Sequence, residues 1–404
     1  MAQTVAFHPR PGKGGVRLAT LPPLTLYVHI PWCLKKCPYC DFNSHEARGE
    51  VPEKAYVEAV IADLEAAIPG VWGRRVHAIF VGGGTPSLFS PEAIDRLLTA
   101  ARTLLPVEVD AEITLEANPG TFEQAKFRAF RAAGVNRLSV GIQSFDDARL
   151  AQIGRVHGGD EARRAARIAV ETFERVNLDL MYALPGQDAA GALADVTEAL
   201  SFGPEHLSAY HLTIEPNTLF HRHPPALPDD DASAEIEDGV ESALARAGFE
   251  HYETSAYARP GARARHNVNY WRFGDYLGIG AGAHSKLSYP DRIVREMRFK
   301  QPRAYQEGAM AGAAIQSAHD VPASDLPFEF AMNALRLADG FALSLFTERT
   351  GLAASVLEGP LSRAESMGLV DRDAFSVRPT PRGRRFLNDL LGLFVPEAQP
   401  PQKG

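Results

Sequence analysis

All three cysteines of this 404-residue chain lie in one run, Cys33-Leu34-Lys35-Lys36-Cys37-Pro38-Tyr39-Cys40. The run follows an apolar stretch, 24–30, that reads as a buried strand. Thiolates at CxxxCxxC spacing on one loop can grip three corners of a four-iron cluster. The sequence has no fourth cysteine, so one iron keeps an exchangeable position, as in a reactive rather than a closed metal site. A zinc site completed by His29 or His45, a redox pair with a bystander, and inert buried thiols are the other readings. Zinc motifs usually space cysteines as CxxC and come in pairs, which favours the cluster.

An open iron needs a chelating small molecule, and Gly82-Gly83-Gly84-Thr85-Pro86 offers a place to hold one. Glycine lets backbone groups approach a ligand, and Thr85 adds a hydroxyl. Glu116 and Asp179 end apolar strands, where a buried charge is costly unless paired. The partner is either a ligand amine, sulfonium or ribose hydroxyl, or a core arginine such as Arg137 or Arg155; the ligand is the favoured reading. A further segment, Arg265 to Tyr276, sets His266 among Tyr270, Trp271, Phe273 and Tyr276. On residue types alone this reads more readily as aromatic core with a satisfied histidine than as a ligand site.

The elements that must position these groups alternate. Strands are expected at 24–30, 76–81, 112–116, 137–141, 177–181 and 207–213, with helices at 53–68, 91–104, 121–133, 159–173 and 189–202 between them. Six β/α units predict an α/β fold, an open or partial barrel, since a closed eightfold one ordinarily takes about 250 residues and the alternation fades near residue 215. Functional groups of such barrels gather at the carboxyl ends of the strands. The cysteine loop, the Gly82–Pro86 turn, Glu116, Gln143 and Asp179 all fall there. Residues 224–231, rich in Pro and Asp, read as a linker, and a helical segment follows to about 248. An irregular aromatic-rich region comes next, then a final, mainly helical module resembling a winged helix.

A formal net charge of −8 argues against a nucleic-acid partner, which demands a basic footprint. With 45% hydrophobic residues and 23% charged ones, the chain has the composition of an ordinary globular protein. Neither a signal peptide nor a run of about twenty apolar residues is evident. Thiols that must stay reduced to hold iron fit a cytoplasmic location.

The run from Tyr27-Val28-His29-Ile30-Pro31-Trp32 through Cys40, with Gly82–Pro86, Glu116-Ala117-Asn118-Pro119-Gly120 and Gln143-Ser144-Phe145, resembles the radical S-adenosylmethionine (radical SAM) superfamily. Within it the chain is similar to the oxygen-independent coproporphyrinogen III oxidase group, and most closely to the HemW-type haem chaperones, over residues 24–394. The resemblance implies a partial (β/α)6 TIM-like barrel at 21–250, preceded by a flexible segment, 1–20. A connecting region, 251–320, a HemN-type C-terminal domain, 321–395, and a tail, 396–404, would follow.

The resemblance also implies that Cys33, Cys37 and Cys40 ligate a [4Fe-4S] cluster whose open iron takes the amino and carboxylate groups of S-adenosyl-L-methionine. An electron from the cluster then yields a 5'-deoxyadenosyl radical. By position, Tyr27, Gly83, Gly84, Thr85, Glu116, Gln143, Arg155 and Asp179 would hold that cofactor. Arg155 suits a carboxylate through its planar fork, and its alternative is a surface cation near a helix start.

One departure separates the subfamilies. The oxidases carry a further cysteine two places after the third, where this chain has Phe42. Cys40-Asp41-Phe42-Asn43-Ser44-His45 resembles the chaperone pattern and weakens the enzyme reading. His266 to Trp271 resembles the HNxxYW motif associated with haem binding, so the resemblance implies haem contacts at His266 and Trp271. The implied function is a haem chaperone that passes haem to an acceptor protein, with any peripheral membrane association made through that acceptor. The competing expectation is a radical SAM decarboxylase of coproporphyrinogen III. Oligomeric state and the identity of the acceptor are not legible.

Overall fold

A computed structural model describes residues 15–121 and 124–396. Six parallel strands form the core: β1 (Leu24–Ile30), β2 (Val76–Gly83), β3 (Val107–Ala117), β4 (Arg137–Gln143), β5 (Arg175–Tyr182) and β6 (His206–His211). Every residue of β1 except Tyr27 is buried, as expected of a parallel strand covered on both faces. Connecting helices at Glu53–Val71, Pro91–Leu104, Gln124–Ala132, Gly159–Thr172 and Ala189–Ser201 fall within a few residues of the expected ranges. The second starts where Ser90 accepts the Ala93 N–H and Pro91 fills the first turn, a standard helix entry.

The region after residue 250 differs from expectation. It is no separate connector, because it supplies both flanks of one twelve-stranded sheet: β7 (Glu250–Glu253), β8 (Ala256–Ala258), β9 (Asp275–Ile279), β10 (His284–Tyr289), β11 (Arg292–Arg298) and β12 (Ile315–Asp320). The sheet order is β12-β11-β10-β9-β1-β2-β3-β4-β5-β6-β8-β7. β9 pairs parallel with β1, so a seventh parallel strand joins the six, and the loop after it opens at the same carboxyl edge as the cysteine loop.

Buried charge fastens this flank. Asp275 on β9 accepts from Lys286 Nζ at 2.8 Å, pairs with Arg74 Nη1 at 2.8 Å and takes the Ser288 N–H. A carboxylate buried to this degree is tolerated because all its partners are in place. Asp63 repeats the arrangement with Arg298 and the Tyr305 hydroxyl.

The C-terminal part carries helices at Leu326–Ala334, Leu343–Thr350 and Glu358–Ser366 with a three-stranded sheet, as the winged-helix-like expectation has it. Its core includes Phe330 and Phe346 and takes in Ile293 from the large sheet and Phe273 from the turn that leads into β9. Val16 and Leu18 are buried in that same core, so the end of the segment expected to be flexible is packed; residues 1–14 and 397–404 lie outside the described residues. Among the described residues, no helix is long and apolar enough to cross a membrane.

Candidate functional site

The three thiols sit on the loop leaving β1 and are half-buried and unpaired. Trp32–Cys33 pairs briefly with His45–Glu46, which closes the loop, and Lys36 Nζ braces it by donating to the carbonyls of Phe42 and Ser44. Cys33, Cys37 and Cys40 all line one cavity of about 260 Å³. Among the described residues no three His, Cys, Asp or Glu side chains converge closely enough to share one ion. Three thiols around one shared cavity suit a cluster, in which each takes a different iron. His29 is also unavailable as a zinc ligand, because its Nδ1 meets the Tyr27 hydroxyl at 2.7 Å and its Nε2 the Asn43 carbonyl at 2.9 Å. Burial lowers its pKa to about 4.

Gly83, Gly84 and Thr85 border the same cavity, but the glycines serve the protein's own packing as well as ligand access. A Cβ on Gly84 would stand 2.5 Å from the Trp32 carbonyl oxygen, and one on Gly83 would meet the His29 ring at 2.5 Å. Gly83 has φ +114°, which side chains rarely adopt. The N–H groups of Gly84 and Thr85 donate to the carbonyls of Ile30 and Trp32. The turn after β2 therefore holds the entry of the cysteine loop.

Glu116 and Asp179 reach the cavity from the ends of β3 and β5. Glu116 accepts the Gly83 N–H at 2.9 Å; Asp179 accepts from Ser139 Oγ at 2.9 Å and Asn177 Nδ2 at 2.8 Å. Among the described residues neither has a lysine or arginine at ion-pair distance, and Arg137 lies nearer Glu112 instead. Burial, with the Asp179 charge adding to it, pushes Glu116 up to about 8; burial also raises Asp179. Two desolvated carboxylates facing one space are poised for a cationic or hydroxyl-bearing ligand.

Arg155 is no surface cation. Its guanidinium lines the cavity, donating to Asn118 Oδ1 at 2.6 Å and the Gly141 carbonyl at 2.7 Å, with Nη1 3.8 Å from Cys37 Sγ. Its Nε is buried without a hydrogen-bond partner among the described residues. Gln143, also on the wall, has φ +67°, a left-handed conformation that costs a non-glycine residue about 1–3 kcal/mol. An unfilled buried donor, unpaired carboxylates and three free thiols around one cavity suit a cluster and an amino-acid sulfonium cofactor.

Tyr27 falls elsewhere. It lines a second, larger cavity of about 880 Å³, which shares Cys40, Phe42, Gly83 and Glu116 with the first. Neither His266 nor Trp271 borders either cavity. His266 is 4% exposed, its Nδ1 3.4 Å from Glu112 Oε1 and its ring 4.2 Å from that of Phe80. Trp271 packs under Arg336. This aromatic segment forms a helix, Arg265–Trp271, against the barrel, so an axial role for His266 would require it to leave its packing.

Sequence reasoning missed several wall residues. Asn118 and Ser139 belong to the small cavity, and Phe80, His284 and Lys300 to the large one, which Tyr270 and Tyr276, the aromatics that the sequence set beside His266, also line. The carboxyl-edge rule would have pointed to His284 had β9 been recognised as a parallel strand, because the loop 280–283 follows β9 and His284 opens the next strand directly after it.

A partial parallel barrel whose first loop presents three thiols to a carboxylate-walled cleft is the architecture of a radical S-adenosylmethionine protein. Residues 27–195 match the Radical SAM superfamily and residues 321–386 the HemN C-terminal domain. The chain is 50% identical over 382 residues to the heme chaperone HemW of Escherichia coli (strain K12), covering 94% of this chain and all of that one. It is 37% identical over 392 residues to HemW of Mycobacterium tuberculosis (strain ATCC 25618 / H37Rv), covering 94% of this chain and 97% of that one. Among solved structures, coproporphyrinogen III oxidase (HemN) from Escherichia coli superimposes with a TM-score of 0.79 at 24% identity, over 93% of this chain and 90% of that one, which shows a shared fold. The chain belongs to the HemW family.

Proposed function

We propose that the protein is a haem chaperone, binding haem and passing it to an acceptor protein, and that it carries a [4Fe-4S] cluster with exchangeable S-adenosyl-L-methionine. The observation that carries this reading is Phe42. It is 62% exposed and borders both cavities, so a flat apolar face stands where the oxidase pattern has a thiol. Relatives named heme chaperones that match this chain over nearly its whole length support it.

In this reading Cys33, Cys37 and Cys40 hold the cluster. Glu116 and Asp179 face the cationic and hydroxyl groups of the cofactor, Arg155 faces its carboxylate, and Gly83, Gly84, Thr85 and Gln143 form the remaining wall, with Tyr27 at the side of the larger cavity. Together the bound pair supplies one-electron chemistry at the sulfonium carbon–sulfur bond. Phe42 and Met181 give the space apolar surface, which limits water near the thiols. In this reading the acceptor protein is the partner and any membrane contact is made through it; thiols that must stay reduced to hold iron support a reducing, cytoplasmic setting.

The test is transfer. Cluster-loaded protein carrying one haem is mixed with a haem-depleted haemoprotein, and the acceptor's absorption is followed. Transfer faster than from free haem in buffer, with no anaerobic decarboxylation of coproporphyrinogen III, supports the chaperone; decarboxylation without haem retention replaces it with the oxidase.

A further inference from the structure

We propose that the cavity of about 880 Å³ beside the cluster loop is the haem seat, with His284 supplying the axial nitrogen and Lys300 receiving a propionate. This rests on the chaperone reading and adds the site to it. The cavity lies within the size range of cofactor pockets and offers flat faces at Phe42, Phe80, Tyr270 and Tyr276.

Two imidazoles line it. His29 is spent, both ring nitrogens being engaged by Tyr27 and Asn43. His284 is exposed and makes no side-chain hydrogen bond among the described residues. Partial desolvation by the surrounding wall, followed by the charges of Lys300 and Arg295, lowers its pKa, which favours the neutral ring that a metal binds. Lys300, the cation next to it, has no carboxylate at ion-pair distance among the described residues, so a propionate would complete it. Lys36, the other cation on the wall, already braces the cysteine loop.

The geometry also gives His266 a different task. Tyr270 lies one helical turn beyond it on the same face of the helix Arg265–Trp271 and lines the cavity, its ring 4.6 Å from that of Tyr276. His266 stands behind Phe80, another wall residue. It is a positioning residue for two aromatic walls, and its loss would loosen haem without changing the iron's ligand.

The experiment is a ferric haem titration of the cluster-reconstituted full chain, read by Soret absorption and by resonance Raman for the axial ligand. His284→Ala is expected to lose the nitrogen-ligand signature and at least ~10-fold in affinity, and added imidazole is expected to restore the signature. Lys300→Ala is expected to weaken binding several-fold with an unchanged signature, and the effect should disappear with haem dimethyl ester. His266→Gln is expected to weaken binding while keeping the signature. Iron and sulfide content checks folding, and His284→Gln replaces His284→Ala if the latter loses its cluster. Tight haem binding with the nitrogen signature intact in both His284 variants overturns the seat and leaves the chaperone reading standing. Failure of the unmodified protein to bind haem removes both.

Discussion

Gly84 and Trp32 touch backbone to backbone: the Thr85 N–H next to Gly84 donates to the Trp32 carbonyl at 2.7 Å, and a Cβ on Gly84 would stand 2.5 Å from that oxygen. The turn after the second strand thus fixes where the cysteine loop begins. Gly84→Ala is expected to push the two apart, lowering stability by about 1–3 kcal/mol as overpacking does. Iron and sulfide bound after anaerobic reconstitution should fall more than the drop in Tm alone accounts for.

Glu116 gives a pH dependence whose sign follows from burial. Its carboxyl titrates near 4.5 when unfolded and at about 8 in the fold. The fold therefore keeps the neutral form over the range where the unfolded chain releases the proton. The contribution to stability is full below about 4.5 and is lost as pH rises to about 8. Glu116→Gln should flatten that part of the decline, so urea unfolding at pH 5, 7 and 9 should show the variant gaining on the parent as pH rises. A parallel pair of curves would contradict this.

Much of this was legible. The strand 24–30 is exact, and the five helices are right within a few residues, because period and turn residues agree in that half of the chain. The thiol spacing and the carboxylates at strand ends pointed to one edge of the sheet. Three things were not legible. β9 has no helix after it and so looked irregular, although it pairs parallel with β1. For Arg155 the residue types alone did not choose between the cofactor role that the resemblance implied and a surface cation, because nothing local signals that Asn118 and Gly141 lie opposite it. His266 and Tyr270 sit in one motif, and only the docking of their helix decides which is buried against Glu112 and which faces the cavity.

Lys286 and Asp275 form the buried pair that ties β9 and β10 together. Removing the cation alone leaves the buried carboxylate with Arg74 as its remaining ion-pair partner. Lys286→Ala should destabilise by about 3–5 kcal/mol, measured by denaturant unfolding, whereas the exposed pair Arg303–Glu307 should cost under about 1 kcal/mol when broken.

Phe42 separates binding from folding. Being exposed, it should tolerate Phe42→Ala within about 0.5 kcal/mol of stability. Haem affinity should fall all the same, because the face shared by the two cavities is lost. Phe42→Cys should behave alike and confer no coproporphyrinogen III decarboxylation, since one thiol does not rebuild the remaining walls.

The account stands on three thiolates leaving one iron of a cluster open to S-adenosyl-L-methionine. Mössbauer spectroscopy of anaerobically reconstituted protein enriched in iron-57, with and without that cofactor, tests it most directly. A [4Fe-4S] spectrum in which a single iron site shifts on addition of the cofactor is the predicted result. A cluster whose irons are all indifferent to it, or protein that takes up zinc in place of iron, would contradict the account.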